Sequence, residues 1–181
     1  LEGVVVCRQN GSHSVTFAAT LAGKYFVQVM QTDASVWTTS PSLHSFVVTA
    51  GAPSAANCLV YATVDSIAVV AGGVFEYSVL IRDRFGNMAA SKSSVLRDVA
   101  LDGTLLSLGS SDVDTIVRGE NTMLVRVRHR QAGVLAVQTF LRGHSTPIPT
   151  NAAASSDANS LASSIAVLVT PGAPDVSSSL V

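Results

Sequence analysis

Residues 74–87 read Val-Phe-Glu-Tyr-Ser-Val-Leu-Ile-Arg-Asp-Arg-Phe-Gly-Asn, and this stretch decides the fold. Phe75, Tyr77, Val79 and Ile81 alternate with Glu76, Ser78, Leu80 and Arg82. Successive side chains of a strand point to opposite faces, so a period of two lines the four apolar residues along one core face. The run ends at Gly86-Asn87, where glycine permits a sharp exit that a bulky residue would strain. Asp83 and Asn87 suit the same turn, because both side chains can hydrogen-bond nearby backbone N–H groups. Arg82-Asp83 is therefore read as structure rather than chemistry.

The alternation recurs on either side. Val15, Phe17 and Ala19 share one face, as do Tyr25, Val27 and Val29, and as do Met123, Val125 and Val127. Between such runs lie Asn10-Gly11, Ala22-Gly23, Gly72-Gly73, Asp102-Gly103 and Pro171-Gly172, all turn signals. Many short strands separated in this way predict an all-β sandwich or barrel. Two stretches, residues 89–101 and the Ala/Ser-rich 152–164, are also compatible with helix.

Self-comparison sharpens the reading. Ala22-Gly23-Lys24-Tyr25-Phe26-Val27-Gln28 is echoed by Ala132-Gly133-Val134-Leu135-Ala136-Val137-Gln138. Phe46-Val47-Val48-Thr49-Ala50-Gly51-Ala52-Pro53 is echoed by Val167-Leu168-Val169-Thr170-Pro171-Gly172-Ala173-Pro174. The repeat is about 110 residues long, the size of a whole sandwich domain and far above a solenoid unit of about 20–50 residues. The second copy carries about 11 extra residues, which fall in the loop-like stretch 151–160. The expected organisation is 1–53 as the C-terminal part of one repeat, 54–170 as a complete repeat, and 171–181 as a linker or the start of another. The sequence reads as a window on a tandem array.

Composition sets outer bounds. The 181 residues are 48% hydrophobic and only 13% charged, and eleven Lys+Arg against twelve Asp+Glu leave a net charge of −1. That balance argues against binding to nucleic acid or an anionic membrane through bulk charge. The longest apolar runs, such as residues 165–169, fall well short of the roughly 18 residues a membrane span needs. No direct membrane insertion is expected.

Several of these residues together resemble a known family. Gly23-x-Tyr25-x-Val27-x-Val29 followed by Phe46-x-Val48 and Gly51-Ala52-Pro53 is similar to the end of a filamin-type (actin-binding-protein) immunoglobulin-like repeat. Ala71-Gly72, Phe75, Val79 and Arg82-Asp83-Arg84-Phe85-Gly86-Asn87 resemble that family's second strand and the turn after it. Two departures mark the chain as divergent. The usual Gly-Ser-Pro-Phe stretch survives only as Ser40-Pro41-Ser42-Leu43 and weakly around Thr146-Pro147, and Leu135 replaces a preferred tyrosine. Bacterial adhesin-type immunoglobulin-like repeats share an Asp-x-x-Gly-Asn turn and are the main rival.

The resemblance implies an immunoglobulin-like β-sandwich that binds partner tails by strand addition along its third and fourth strands. The matching residues are Val95, Leu96, Arg97, Val99 and Leu101, with Val113, Thr115 and Val117. Added strands gain affinity from backbone hydrogen bonds and specificity from alternate side-chain pockets. Arg97 and Asp98 equally suit the charged residues that keep an edge strand from aggregating. The implied role is a non-enzymatic scaffold in an actin-linked, cytoplasmic cytoskeleton, with protein partners and neighbouring repeats as its contacts. The alternative is a cell-surface adhesion ectodomain.

Other constellations are sparse. No nucleophile elbow, phosphate loop or His-Glu-x-x-His motif occurs. His13, His44, His129 and His144 are scattered, so neither metal nor cofactor is expected. Asp112 and Asp114 lack the glycine and distal glutamate of a calcium loop and read as a solvated turn. Arg126, Arg128 and Arg130 share one strand face, suited to an acidic partner or to pairing with acids on adjacent strands. Asn10-Gly11-Ser12 is a glycosylation acceptor if the chain is secreted. Cys7 and Cys58 fall in different repeats and read as small buried hydrophobes, with an inter-domain disulfide as the other option.

Overall fold

The alternating stretch is a strand, Val74–Leu80, whose burial follows the pleat: Phe75, Tyr77 and Val79 are buried, as is Ile81 just beyond it. The structure, a computed structural model, describes residues 3–28, 30–33, 36–39, 43–62, 67–90, 95–101, 104–107, 112–150 and 164–172. Every regular element among them is a strand. Backbone contacts divide the chain into two units, Leu1–Ala50 and Gly51–Val181.

The first unit holds β1 (Gly3–Cys7), β2 (His13–Phe17), β3 (Gly23–Val27), β4 (Met30–Asp33), β5 (Val36–Thr39) and β6 (His44–Val48). They form three antiparallel pairs, β1-β2, β3-β6 and β4-β5. The rings of Phe17 and Tyr25 lie 5.1 and 5.3 Å from that of Phe46, giving this unit an aromatic cluster. The Tyr25 hydroxyl donates to the Leu21 carbonyl at 2.7 Å. A tyrosine bonded to backbone a few residues upstream is the corner found in immunoglobulin-like sandwiches.

The second unit holds β7 (Leu59–Tyr61), β8 (Ile67–Val70), β9 (Val74–Leu80), β10 (Leu96–Leu101), β11 (Thr104–Ser107), β12 (Val113–Val117), β13 (Thr122–Arg128), β14 (Gly133–Leu141) and β15 (Ile165–Thr170). Two sheets result, a four-stranded β12-β13-β9-β7 and a five-stranded β11-β10-β14-β15-β8. All strand pairs are antiparallel except β15-β8. Each sheet is apolar on one face, and the two faces close a shared core. One side supplies Phe75, Tyr77, Met123, Val125 and Val127, and the other Val99, Leu135, Val137, Val167 and Val169, all at 2% exposure or less. Residues 96–101, compatible with helix by sequence, are strand β10, whose backbone pairs with β11 and β14 while Leu96, Val99 and Leu101 are buried in the core. The other helix-compatible stretch lies outside the described residues apart from Ser164, and the loop 151–160 and the segment 173–181 lie outside them entirely.

Two strand pairings of the first unit recur in the second at matching registers. Gly23↔Val48 through Val27↔His44 in β3-β6 recur as Gly133↔Val169 through Val137↔Ile165 in β14-β15. A second match, with only Arg8/Arg118 and Val15/Val125 identical, joins β1-β2 to β12-β13. Gly3↔Phe17 through Cys7↔His13 recur as Val113↔Val127 through Val117↔Met123. Even the closing bond recurs: Arg8 N–H donates to Ser12 O at 2.8 Å, and Arg118 N–H to Thr122 O at 2.9 Å.

Candidate functional site

The candidate residues of β12 and β13 lie along the edge and outer face of the four-stranded sheet. β12 pairs with β13 on one side, and among the described residues no strand pairs with its other side. Arg128 N–H donates to Asp112 O, and Arg118 N–H to Thr122 O, which fixes Asp112, Asp114, Ile116 and Arg118 as the positions bonded to β13. Val113, Thr115 and Val117 therefore aim their backbone N–H and C=O groups away from the sheet. Asp114 covers part of this edge, because its carboxylate accepts the Thr115 N–H at 2.7 Å. A charge on an edge strand blunts indiscriminate pairing.

The other half of the expected edge is not one. β10 lies between β11 and β14, so both of its sides are paired. Leu96, Val99 and Leu101 are core residues, and Val95 O accepts the Arg142 N–H at 2.9 Å. The side chain of Arg97 lies outside the described residues. Which strand ends a sheet is a tertiary fact, and the residues of β10 carry no local mark of it.

On the outer face a shallow cleft of about 400 Å³ is lined by Val74, Glu76, Asp112, Val113, Asp114, Arg126 and Arg128. The arginine row is not a bare basic stripe. Arg126 Nε donates to Glu76 Oε1 at 2.6 Å across β13-β9, and Arg130 Nη2 lies 4.0 Å from Asp112 Oδ1. Both members of the Arg126–Glu76 pair are about two-fifths exposed, at 40% and 41%. Arg126→Ala is therefore expected to change unfolding free energy by less than about 1 kcal/mol, read by urea titration.

The remaining candidates are dispersed. Asn10 is exposed in the β1-β2 turn, and its Oδ1 accepts both the Ser12 N–H at 3.1 Å and the Ser12 hydroxyl at 2.7 Å. Both cysteines are free; Cys58 is buried as expected, but Cys7 is exposed, with its Sγ 3.2 Å from His13 Nδ1. Burial pushes the Cys58 thiol above its ordinary range, and its sulfur accepts the Arg82 N–H at 3.3 Å. Among the described residues no group of three His, Cys, Asp or Glu is placed to hold a metal ion, and no helix is long and apolar enough to cross a membrane.

The site that sequence reasoning undervalued is Asp83. The sequence marks it as a local turn former, and one oxygen does accept Phe85 N–H at 2.8 Å and Asn87 N–H at 2.9 Å. The other reaches across 32 residues to Gly51 N–H at 2.9 Å and also accepts the Asn87 side-chain amide at 2.9 Å. Held chiefly by that amide, with the backbone donors adding to it against the opposing effect of burial, the carboxyl falls from 3.8 to about 2. The Gly51-Ala-Pro53 entry to the second unit is thus pinned to the turn that follows β9. Only the repeated Gly-Ala-Pro motif hinted at it.

These features define the class: an all-β protein with an immunoglobulin-like β-sandwich. Its fold resembles that of Yersinia pseudotuberculosis InvD, at 17% identity and a TM-score of 0.54, over 98% of this chain and 46% of that one. The Escherichia coli adhesin FdeC matches at 17% identity and TM-score 0.46, over 84% of this chain and 41% of that one. The Lin-41 filamin domain matches at 19% identity and TM-score 0.39, over 54% of this chain and 88% of that one. The chain spans less than half the length of the InvD and FdeC structures. No family model matches it, and no curated protein does.

Proposed function

We propose that this chain is a non-enzymatic segment of a surface-displayed array of immunoglobulin-like domains, an adhesion ectodomain that meets protein partners. The observation that carries the reading is the repetition of two strand-pair registers, β1-β2 with β3-β6 and β12-β13 with β14-β15, in successive units. Such repetition suits a protein that presents or spaces recognition surfaces along its length. The fold likeness to InvD, which extends over nearly the whole chain, supports an array of this kind. No observation singles out the filamin-type reading, so actin and a cytoplasmic location have no part in the proposal.

The partner-facing element is the β12 edge, where Val113 and Val117 offer backbone donors and acceptors to an incoming strand and Thr115, its N–H held by Asp114, offers its carbonyl. The cleft beside it is shallow, and Arg126 and Glu76 in its lining are engaged with each other, which fits recognition better than turnover. The test is a protease added to intact cells that make the full-length protein. Release of peptides from this chain before lysis is the expected result. Complete protection until lysis overturns surface display.

A further inference from the structure

The repeat shows a pairing that the described residues of the first unit do not make. In the second unit β13 is flanked by β12 on one side and by β9 on the other. Its counterpart β2 is flanked by β1, and no described strand lies along its other edge. The Arg8–Ser12 bond fixes Ser12, Ser14 and Thr16 as the positions bonded to β1, so His13, Val15 and Phe17 present backbone N–H and C=O groups outward. Their counterparts Met123, Val125 and Val127 are the residues that pair with Val79, Tyr77 and Phe75 of β9.

Side chains show the same vacancy. Val125 is 0% exposed beneath the opposite sheet, whereas Val15 is 53% exposed. Leu135, Val137, Val167 and Val169 are buried, whereas Tyr25, Val27, Phe46 and Val48, at the same register positions, are only half-buried. A half-covered apolar face beside an open backbone edge is what a sandwich shows when a core strand is absent.

We propose that β2 accepts, along His13, Val15 and Phe17, an antiparallel strand of β9's chemistry, with large apolar residues at alternate positions, supplied by the same polypeptide ahead of residue 1. The second unit gives the register: the incoming residues opposite Phe17 and Val15 take the places that Phe75 and Tyr77 hold opposite Val127 and Val125. The cis source follows from chain order, because β9 precedes β12 on one chain and the repeat is about 110 residues long. An aromatic opposite Val15 would cover the Phe17–Phe46 cluster in the way Tyr77 covers the second core.

The test is hydrogen exchange on the 181-residue chain and on a chimera carrying a copy of residues 51–110 directly ahead of residue 1, which preserves the repeat spacing. Protection of the His13, Val15 and Phe17 amides is expected to rise at least about tenfold in the chimera. Replacing the tyrosine of the added copy (Tyr77→Asp) is expected to abolish the gain. Unchanged exchange in the chimera, or equal protection with the aspartate, overturns the proposal. So does concentration-dependent protection in the 181-residue chain alone, which would mean that a second copy fills the edge. If the chimera does not fold, a peptide of residues 73–82 added to the 181-residue chain reads the same edge, and amides left unprotected at saturating peptide overturn it.

Discussion

Tyr77→Ala is expected to destabilise the second unit by about 3–5 kcal/mol, the range for deleting a large buried aromatic side chain. The ring is 1% exposed at the centre of β9, and its hydroxyl meets the Thr139 hydroxyl at 2.8 Å. Tyr77 belongs to the four-stranded sheet and Thr139 to the five-stranded one, so this bond joins the two sheets through the core. Tyr77→Phe keeps the ring and isolates a buried hydroxyl, at an expected cost of about 1–3 kcal/mol. Tyr77→Phe with Thr139→Val removes both polar ends and is expected to recover part of that loss, read as a coupling energy in urea titrations. Alkali gives a second readout. Desolvation raises the Tyr77 phenol above its ordinary 10.0, only partly offset by the Thr139 bond. The unfolded chain therefore loses this proton first, so stability holds below about pH 10 and falls as pH rises further. Tyr77→Phe is expected to remove this group's share of the alkaline loss. Equal alkaline slopes in both proteins would show that the phenol ionises alike folded and unfolded.

Local pattern made much of the architecture legible. Phe75, Tyr77 and Val79 show their pleat in three alternate letters, and Gly86, with φ of 83°, ends the run where a left-handed residue is needed. The β14-β15 match to β3-β6 was readable because glycine, valine and Gly-Ala-Pro recur as identities. The β1-β2 match to β12-β13 was not, since β1 and β12, Gly-Val-Val-Val-Cys and Val-Asp-Thr-Ile-Val, share no residue at matched positions, and the two isolated identities beside them, Arg8/Arg118 and Val15/Val125, are too few to show without the hydrogen-bond register. Tyr25 and Leu135 show how such divergence works. Both fill the same place in the strand, but only the tyrosine makes the corner bond, while leucine contributes burial alone. Edge placement was the least legible property. Leu96–Leu101 and Val113–Val117 are similar apolar-rich strands, yet β11 pairs with the first, while among the described residues no strand pairs with the outer side of the second. Pairing between strands depends on the rest of the sheet, so a free edge leaves little trace in its own residues.

Asp83→Ala is expected to lower the melting temperature of the second unit by roughly 5–10 °C, well beyond ordinary surface substitutions. The carboxylate accepts four N–H donors, from Gly51, Phe85 and twice from Asn87. Alanine leaves those donors without their acceptor in a part-buried turn, and a donor shielded from water costs more unmade than a made bond contributes. Asp83→Asn discriminates further, since the amide keeps size and one acceptor but cannot receive two donors on each of two oxygens. The acid limb follows from the same contacts. With the folded carboxyl at about 2 against 3.8 unfolded, the unfolded chain binds the proton first as pH falls. The contribution is therefore fully present above about pH 4 and is lost as pH drops toward 2. Thermal melts at pH 7, 4, 3 and 2 are expected to converge for wild type and Asp83→Asn at the acid end and to separate at neutrality. Curves that stay parallel would mean that the carboxylate titrates normally. Gly51 supplies the last distinction. Its N–H is the distant donor, so Gly51→Pro removes that bond and leaves the turn bonds of Phe85 and Asn87 in place. A melting loss in Gly51→Pro comparable to that of Asp83→Ala would assign the effect to the pinned entry segment, whereas a much smaller loss would assign it to the turn.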